Sequence, residues 1–217
     1  MLCGVDEAGR GPVLGPLVVA GVAVPRSEEA ELVRLGVRDS KRLTPKRRET
    51  LSRNIKDRWK WEIRVVKAED IDVLREEMTL NVLEAKIFAS VLDSFSGIEH
   101  AYIDAADVNE EGFATCVASH MKNSVEITSK HGADDVYPVV SAASIVAKVE
   151  RDRHMALLAQ ETGKDVGSGY PSDARTVAFL DEWVAAHGDL PPQTRRSWKT
   201  AQRILRKTDK KLEDYGV

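Results

Sequence analysis

Cys3-Gly4-Val5-Asp6-Glu7-Ala8-Gly9-Arg10-Gly11-Pro12 begins as an apolar strand and runs into two adjacent carboxylates, a glycine-flanked arginine and a proline that stops regular pairing. Carboxylates at a strand end can hold a hard cation, and bare glycine backbone beside them lets a large polar ligand come close. On a regular strand Asp6 and Glu7 point to opposite faces, so both serve one site only if the strand is ending there. Gly9 and Pro12 supply that ending. The reading requires further carboxylates and a basic surface elsewhere in the chain.

Outward from this stretch, the spacing predicts strands at Leu2–Asp6 and Leu17–Val24 joined by the Gly/Pro-rich turn. Gly21 inside the second marks a close neighbour. A helix at Glu28–Leu35 ends at Gly36. Thr44-Pro45 starts another, running through Arg47–Arg58. Trp59–Lys67 alternates as a strand, with Trp59, Trp61, Ile63 and Val65 on one face. Helices follow at Ala68–Arg75 and Leu80–Phe95, then a short strand Ala101–Ala105, a helix Glu111–Met121 and a strand Ser124–Ser129. His131–Asp135 reads as a loop. Pro138 opens a segment, Val139–Gln160, that is apolar on nearly all sides until Lys148, as in a helix buried at close range. Five strands interleaved with helices describe a mixed α/β sheet covered by helices. After Gly163 the character changes to a turn-rich joint, Gly167–Asp173, a helix Ala174–His187, a Pro191-Pro192 break and a basic helix near Ser197–Lys207. The expected division is a catalytic domain at 1–163 and a small helical extension at 164–217.

The carboxylates converge in this scheme. Asp6 and Glu7 end one strand, Asp104 ends another, and Asp134 or Asp135 precedes the buried helix. If the first and fourth strands are neighbours, these ends meet at the C-terminal edge of the sheet, where α/β ligand sites form. Carboxylates without His or Cys partners favour Mg²⁺ or Mn²⁺ over zinc. Asp152 stands about 21 Å beyond Pro138 along a helix and is set aside. Asp107 and Asp173 are left as surface or cap residues.

Charge supplies the second requirement. The net charge is −3, yet Arg38–Lys60 holds ten basic residues against three acidic, and Arg195–Lys211 eight against one. Local basic patches attract a polyanion whatever the total. Carboxylate metal ligands with a polyanion-binding surface point to a metal-dependent nuclease. Lys41, Lys46, Arg195, Arg196 and Lys199 are candidate phosphate contacts. Other classes find little support. Gly9, Gly11 and Gly15 are followed by a strand rather than the helix of a dinucleotide site, and no GxxxxGK[ST] loop occurs. Cys3 and Cys116 cannot build a disulfide framework, which favours the cytoplasm. The apolar run Val13–Val24 is too short and too broken by glycine and proline to span a membrane.

The motifs Gly4–Pro12, Asp39-Ser40-Lys41, Tyr102-Ile103-Asp104, Ala133-Asp134 with Tyr137-Pro138, Ser141–Lys148 and Gly167-Ser168-Gly169-Tyr170 carry a resemblance over essentially the whole chain. The sequence resembles the ribonuclease HII family in its archaeal form. That resemblance implies a ribonuclease H-like mixed five-stranded sheet flanked by helices with a helical C-terminal extension. It implies Asp6, Glu7, Asp104 and Asp134 as catalytic ligands of two Mg²⁺ or Mn²⁺ ions, choosing Asp134 over Asp135. It implies Gly9-Arg10-Gly11 as the sensor of a ribonucleotide 2′-hydroxyl, with the Tyr170 ring against the next sugar. The expected activity is endonucleolytic hydrolysis of RNA in RNA/DNA hybrids and nicking 5′ to ribonucleotides in duplex DNA, leaving 5′-phosphate and 3′-hydroxyl ends. The expected state is a cytoplasmic monomer. His131-Gly132 departs from the His-Lys expected before Ala133-Asp134, a loop variation. Two other readings share the surfaces, a non-catalytic hybrid-binding module and a nuclease of the same fold acting on branched or ordinary DNA.

Overall fold

β1 (Leu2–Ala8) is the middle strand of a five-stranded sheet whose order is β3-β2-β1-β4-β5 in the computed structural model. The structure describes residues 1–37 and 43–214, with side chains to Lys207. β2 (Leu17–Val24) runs antiparallel to β1, from Leu2 opposite Val24 to Ala8 opposite Val18. β4 (His100–Asp104) runs parallel to β1 on its other side, and β5 (Glu126–Lys130) parallel to β4. β3 (Lys60–Val66) is the edge beyond β2. The first and fourth strands are thus neighbours, as the carboxylate argument requires.

The helices in order are α1 (Glu29–Leu35), α2 (Pro45–Arg58), α3 (Ala68–Glu77), α4 (Leu80–Leu92), α5 (Glu110–His120), α6 (Ala133–Val136), α7 (Pro138–Thr162), α8 (Ala174–His187) and α9 (Lys199–Asp214). Their ends follow local chemistry. Thr44 caps α2 by accepting from the Arg47 amide, with Pro45 at the first position. Gly36 closes α1 in the left-handed region. His131–Asp135 is not wholly a loop: one helical turn, α6, begins after Gly132 at φ +62° and carries Asp134 and Asp135. On β3 the face shared by Trp61, Ile63 and Val65 is only partly covered, with Ile63 half-buried and Trp61 and Val65 exposed. Trp61 is 43% exposed beneath Lys56, whereas Trp59 is buried as the cap of α2 and donates to Glu28.

The chain packs as two compact units. The first holds residues 1–8, 18–65 and 78–150, with the sheet at its centre. The start of α7 is sunk against β1: a Cβ on Gly4 would come within 2.2 Å of the Val139 backbone. That close approach explains the glycine and the run of Ala and Ser along buried residues 139–147. Gly21 serves the same purpose in β2 against Val91 and Phe95. The second unit holds residues 9–17, 66–77 and 151–217 around a core of Val13, Leu14, Met155, Phe179, Leu180 and Ile204. Within it, Asp72 of α3 accepts from the amides of Arg196 and Ser197 just before α9. Among the described residues no helix is long and apolar enough to cross a membrane.

Candidate active site

In the first unit, β1 pairs with β4 only as far as Val5 opposite Ile103, yet stays paired with β2 through Ala8. The strand therefore ends on one side and continues on the other. It runs two residues past the expected end at Asp6, to Ala8, and Asp6 and Glu7 lie where its pairing with β4 has already stopped. Asp6, Glu7 and Asp104 each offer a carboxylate oxygen, all within 4.8 Å of one another. Three ionised groups at that spacing repel by roughly 3 kcal/mol per pair at an effective dielectric of about 20.

The surroundings hold these acids in place. Asp104 accepts from the Ala133 amide at 2.7 Å, tying the end of β4 to the start of α6. Asp6 accepts from the Glu7 amide, also at 2.7 Å. Burial pushes the Asp6 carboxyl up to about 7, and the charge of Asp104 adds to that shift. A hydrogen bond from Ser144 and the charge of Lys148 pull it back down. Asp134 is buried with an oxygen 3.7 Å from the Lys148 ammonium, which also donates to Ser144 at 2.6 Å. Its charge also reaches Asp6. Asp135, one residue on, is exposed. Oxygen-only donors, partly desolvated and mutually repelling, suit a hard divalent cation.

The second unit contains the glycine turn and Tyr170. Gly9 has φ +88°, and a Cβ there would meet the Pro16 carbonyl at 2.5 Å, so this position demands glycine. Gly11 differs, since a Cβ would only touch the Tyr170 ring at 3.6 Å. Tyr170 is 40% exposed, with the Arg151 guanidinium 5.4 Å from its ring centroid. Arg151 donates to the Ser168 carbonyl at 2.6 Å. The first turn of α8 fixes this loop: Asp173 accepts from the Ser168 amide, and Thr176 accepts from Gly169 while donating to Val166. Asp173 is the cap of α8, held well below the usual carboxylate range by Arg175 and the Ser168 amide.

The basic candidates separate. Lys46 is exposed on the first turn of α2. Lys41, with Asp39 and Ser40, lies outside the described residues. Lys199 lines a basic groove with Gln202, Arg203, Arg206 and Lys207. Arg196 pairs with Asp189 at 2.6 Å. Arg195 is corrected: it has no exposed surface and donates to main-chain carbonyls, so it is not placed to meet a phosphate. Ser144 and Lys148 went unassigned from sequence. Their signal is a serine and a lysine four apart where the apolar, Ala- and Ser-rich run of α7 ends. Nothing in the sequence distinguishes Arg195 from Arg196.

A mixed α/β sheet with an acid cluster beside its central strand defines a class, the ribonuclease H-like proteins with a candidate divalent-cation centre. The sequence profile of ribonuclease HII matches residues 3–201. Ribonuclease HII of Methanoregula boonei is 48% identical over 216 residues, covering 99% of this chain and 100% of its own. The ribonuclease H2 structure from Pyrococcus horikoshii has a TM-score of 0.90 at 41% identity, with 96% of this chain and 99% of that one covered. A PCNA:RNase HII complex from Archaeoglobus fulgidus is similar with a TM-score of 0.86, also at 41% identity, covering 94% and 96%. The chain belongs to the ribonuclease HII family and is a ribonuclease H-type hydrolase.

Proposed function

We propose that this protein is a metal-dependent endoribonuclease that cuts the RNA strand of RNA/DNA hybrids and nicks duplex DNA on the 5′ side of embedded ribonucleotides. The observation that carries the reading is the convergence of Asp6, Glu7 and Asp104 within 4.8 Å beside buried Asp134, in a chain of this family. Asp6, Glu7, Asp104 and Asp134 would hold two Mg²⁺ or Mn²⁺ ions, which when bound activate a water and stabilise the leaving 3′ oxygen, giving 5′-phosphate and 3′-hydroxyl ends. The protein's own residues prepare this centre. Ser144 and Lys148 keep Asp6 closer to ionised than burial alone would allow, and the Ala133 amide orients Asp104.

Recognition falls to the turn that follows β1. Backbone at Gly9-Arg10-Gly11 would meet the 2′-hydroxyl, the group that separates RNA from DNA, without reading a base. The Tyr170 ring would lie against the neighbouring sugar. Lys46, Lys41 and the basic face of α9 would contact phosphates, giving affinity without sequence preference. Residues 164–217 would serve as the substrate-binding extension, and the protein would act as a monomer in the cytoplasm.

Incubation with Mg²⁺ and a duplex carrying one ribonucleotide tests the reading. The expected product is a single nick 5′ to the ribonucleotide that EDTA abolishes. Failure to nick would refute it, and comparable cutting of an all-DNA duplex would favour a DNA nuclease of the same fold. Binding without cutting would favour a hybrid-binding module.

A further inference from the structure

The segment that follows β1 is held through its carbonyls along its whole length, and through its amides only from Val13 to Gly15. The guanidinium of Arg195 donates to the carbonyls of Gly9, of Arg10 at 2.8 Å and of Gly15 at 3.2 Å. The Arg195 amide donates to Val13 at 2.8 Å. Trp198 donates its indole N–H to Gly11 at 3.2 Å, and the Arg195 guanidinium lies 4.9 Å from the Trp198 ring centroid. Five carbonyls of a seven-residue segment thus face one arginine–tryptophan pair, while Gly169 takes the amides of Val13 and Leu14.

No cis peptide bond occurs among the described residues. In a trans peptide the C=O and the following N–H point in opposite directions. Turning the carbonyls of Gly9 and Arg10 toward the guanidinium therefore turns the amides of Arg10 and Gly11 away from it. A fully buried arginine is costly, and anchoring a turn alone would not demand a charge. A cation at the carbonyl end of a peptide also polarises it, which strengthens its N–H as a donor. We infer that Arg195 is a positioning residue that aims and polarises the Arg10 and Gly11 amides as a donor pair for an oxygen of the ribonucleotide substrate, with Trp198 completing the clamp at Gly11. This deepens the proposed function and rests on its assignment of the turn to ribose recognition.

The test uses the full-length protein and three readouts: kcat/KM with Mg²⁺ on a duplex bearing one ribonucleotide, the inhibition constant of an all-DNA competitor duplex, and Tm. Arg195→Lys keeps the charge but cannot reach three carbonyls in a planar fork. It should lower kcat/KM by about tenfold or more while leaving the inhibition constant within about twofold. Trp198→Phe removes one donor at Gly11 and should give a smaller loss of the same kind, which keeps the inference testable if Arg195 variants fold poorly. Unchanged kcat/KM in both variants overturns it, and so does a parallel decline of kcat/KM, competitor binding and Tm, which marks a purely structural role. A wild-type protein that nicks no ribonucleotide-bearing duplex refutes the proposed function itself. A wild type that nicks, with variants that nick equally well, refutes only the clamp.

Discussion

Lys148 holds its ammonium 3.7 Å from a carboxylate oxygen of Asp134 and donates to Ser144, which in turn hydrogen-bonds Asp6. One cation on α7 thereby serves two acids that come from different elements. Removing a positive charge disfavours ionisation of the carboxylates near it. Lys148→Met should therefore move the acid limb of Mn²⁺ binding upward by roughly half to one pH unit. Calorimetric titration between pH 5.5 and 8.5 reads this directly. An unmoved acid limb would separate Lys148 from the centre.

Asp6 supports a prediction about the metal-free protein. Its carboxyl is raised from 3.8 to about 7, by burial first and Asp104 second. A group with a raised folded value lends stability in full below its unfolded value and loses it as pH rises through the folded one. Metal-free protein should thus lose stability as pH rises from about 4 to beyond 7, by an amount on the order of a few kcal/mol. Asp6→Asn removes this dependence, so its Tm at pH 8 should exceed that of the metal-free parent by several degrees. Mg²⁺ should raise the parent's Tm and leave the variant's nearly unchanged. Identical pH profiles for the two proteins would contradict the assignment.

The neighbouring pair Asp134 and Asp135 offers a contrast within one turn of helix. Asp134 is buried beside Lys148, whereas Asp135 is exposed. Asp134→Asn should abolish turnover, and Asp135→Asn should retain most of it. Single-turnover nicking at fixed Mg²⁺ measures both. Equal losses would overturn the choice between them.

Much of this arrangement is legible in the chain itself. Asp6 and Asp104 read as the ends of apolar strands, although the β1–β4 adjacency that brings them together is a condition of that reading which the sheet order meets, and Thr44-Pro45 marks the start of α2 because capping chemistry is local. Gly21 announces a close neighbour, and Val91 fills that place. Other features depend on partners far along the chain. How much of the Trp61 and Val65 face of β3 is covered depends on what packs over it, which alternation alone cannot reveal. Arg195 reads as one more basic residue beside Arg196, yet it is wholly buried because carbonyls some 180 residues earlier accept its guanidinium. Lys148 reads as the end of an apolar run, and only the fold brings Asp134 to it.

Gly9 and Gly11 divide the demands of folding from those of recognition. At Gly9 an alanine would be forced to φ +88° with its Cβ 2.5 Å from the Pro16 carbonyl, main-chain atoms that cannot yield cheaply. Gly9→Ala should cost at least about 2 kcal/mol of stability. At Gly11 the added methyl meets only the Tyr170 ring, at an ordinary 3.6 Å, so Gly11→Ala should fold with a change within about 0.5 kcal/mol. The same methyl would occupy the space between the turn and the exposed ring, where the proposed sugar contacts form. Nicking at a single ribonucleotide should therefore fall by about tenfold or more in Gly11→Ala despite its unchanged Tm. Thermal melts paired with nicking assays on both variants decide the matter. A stable Gly11→Ala protein with parental activity would show that the face of this turn beside Tyr170 does not meet the substrate.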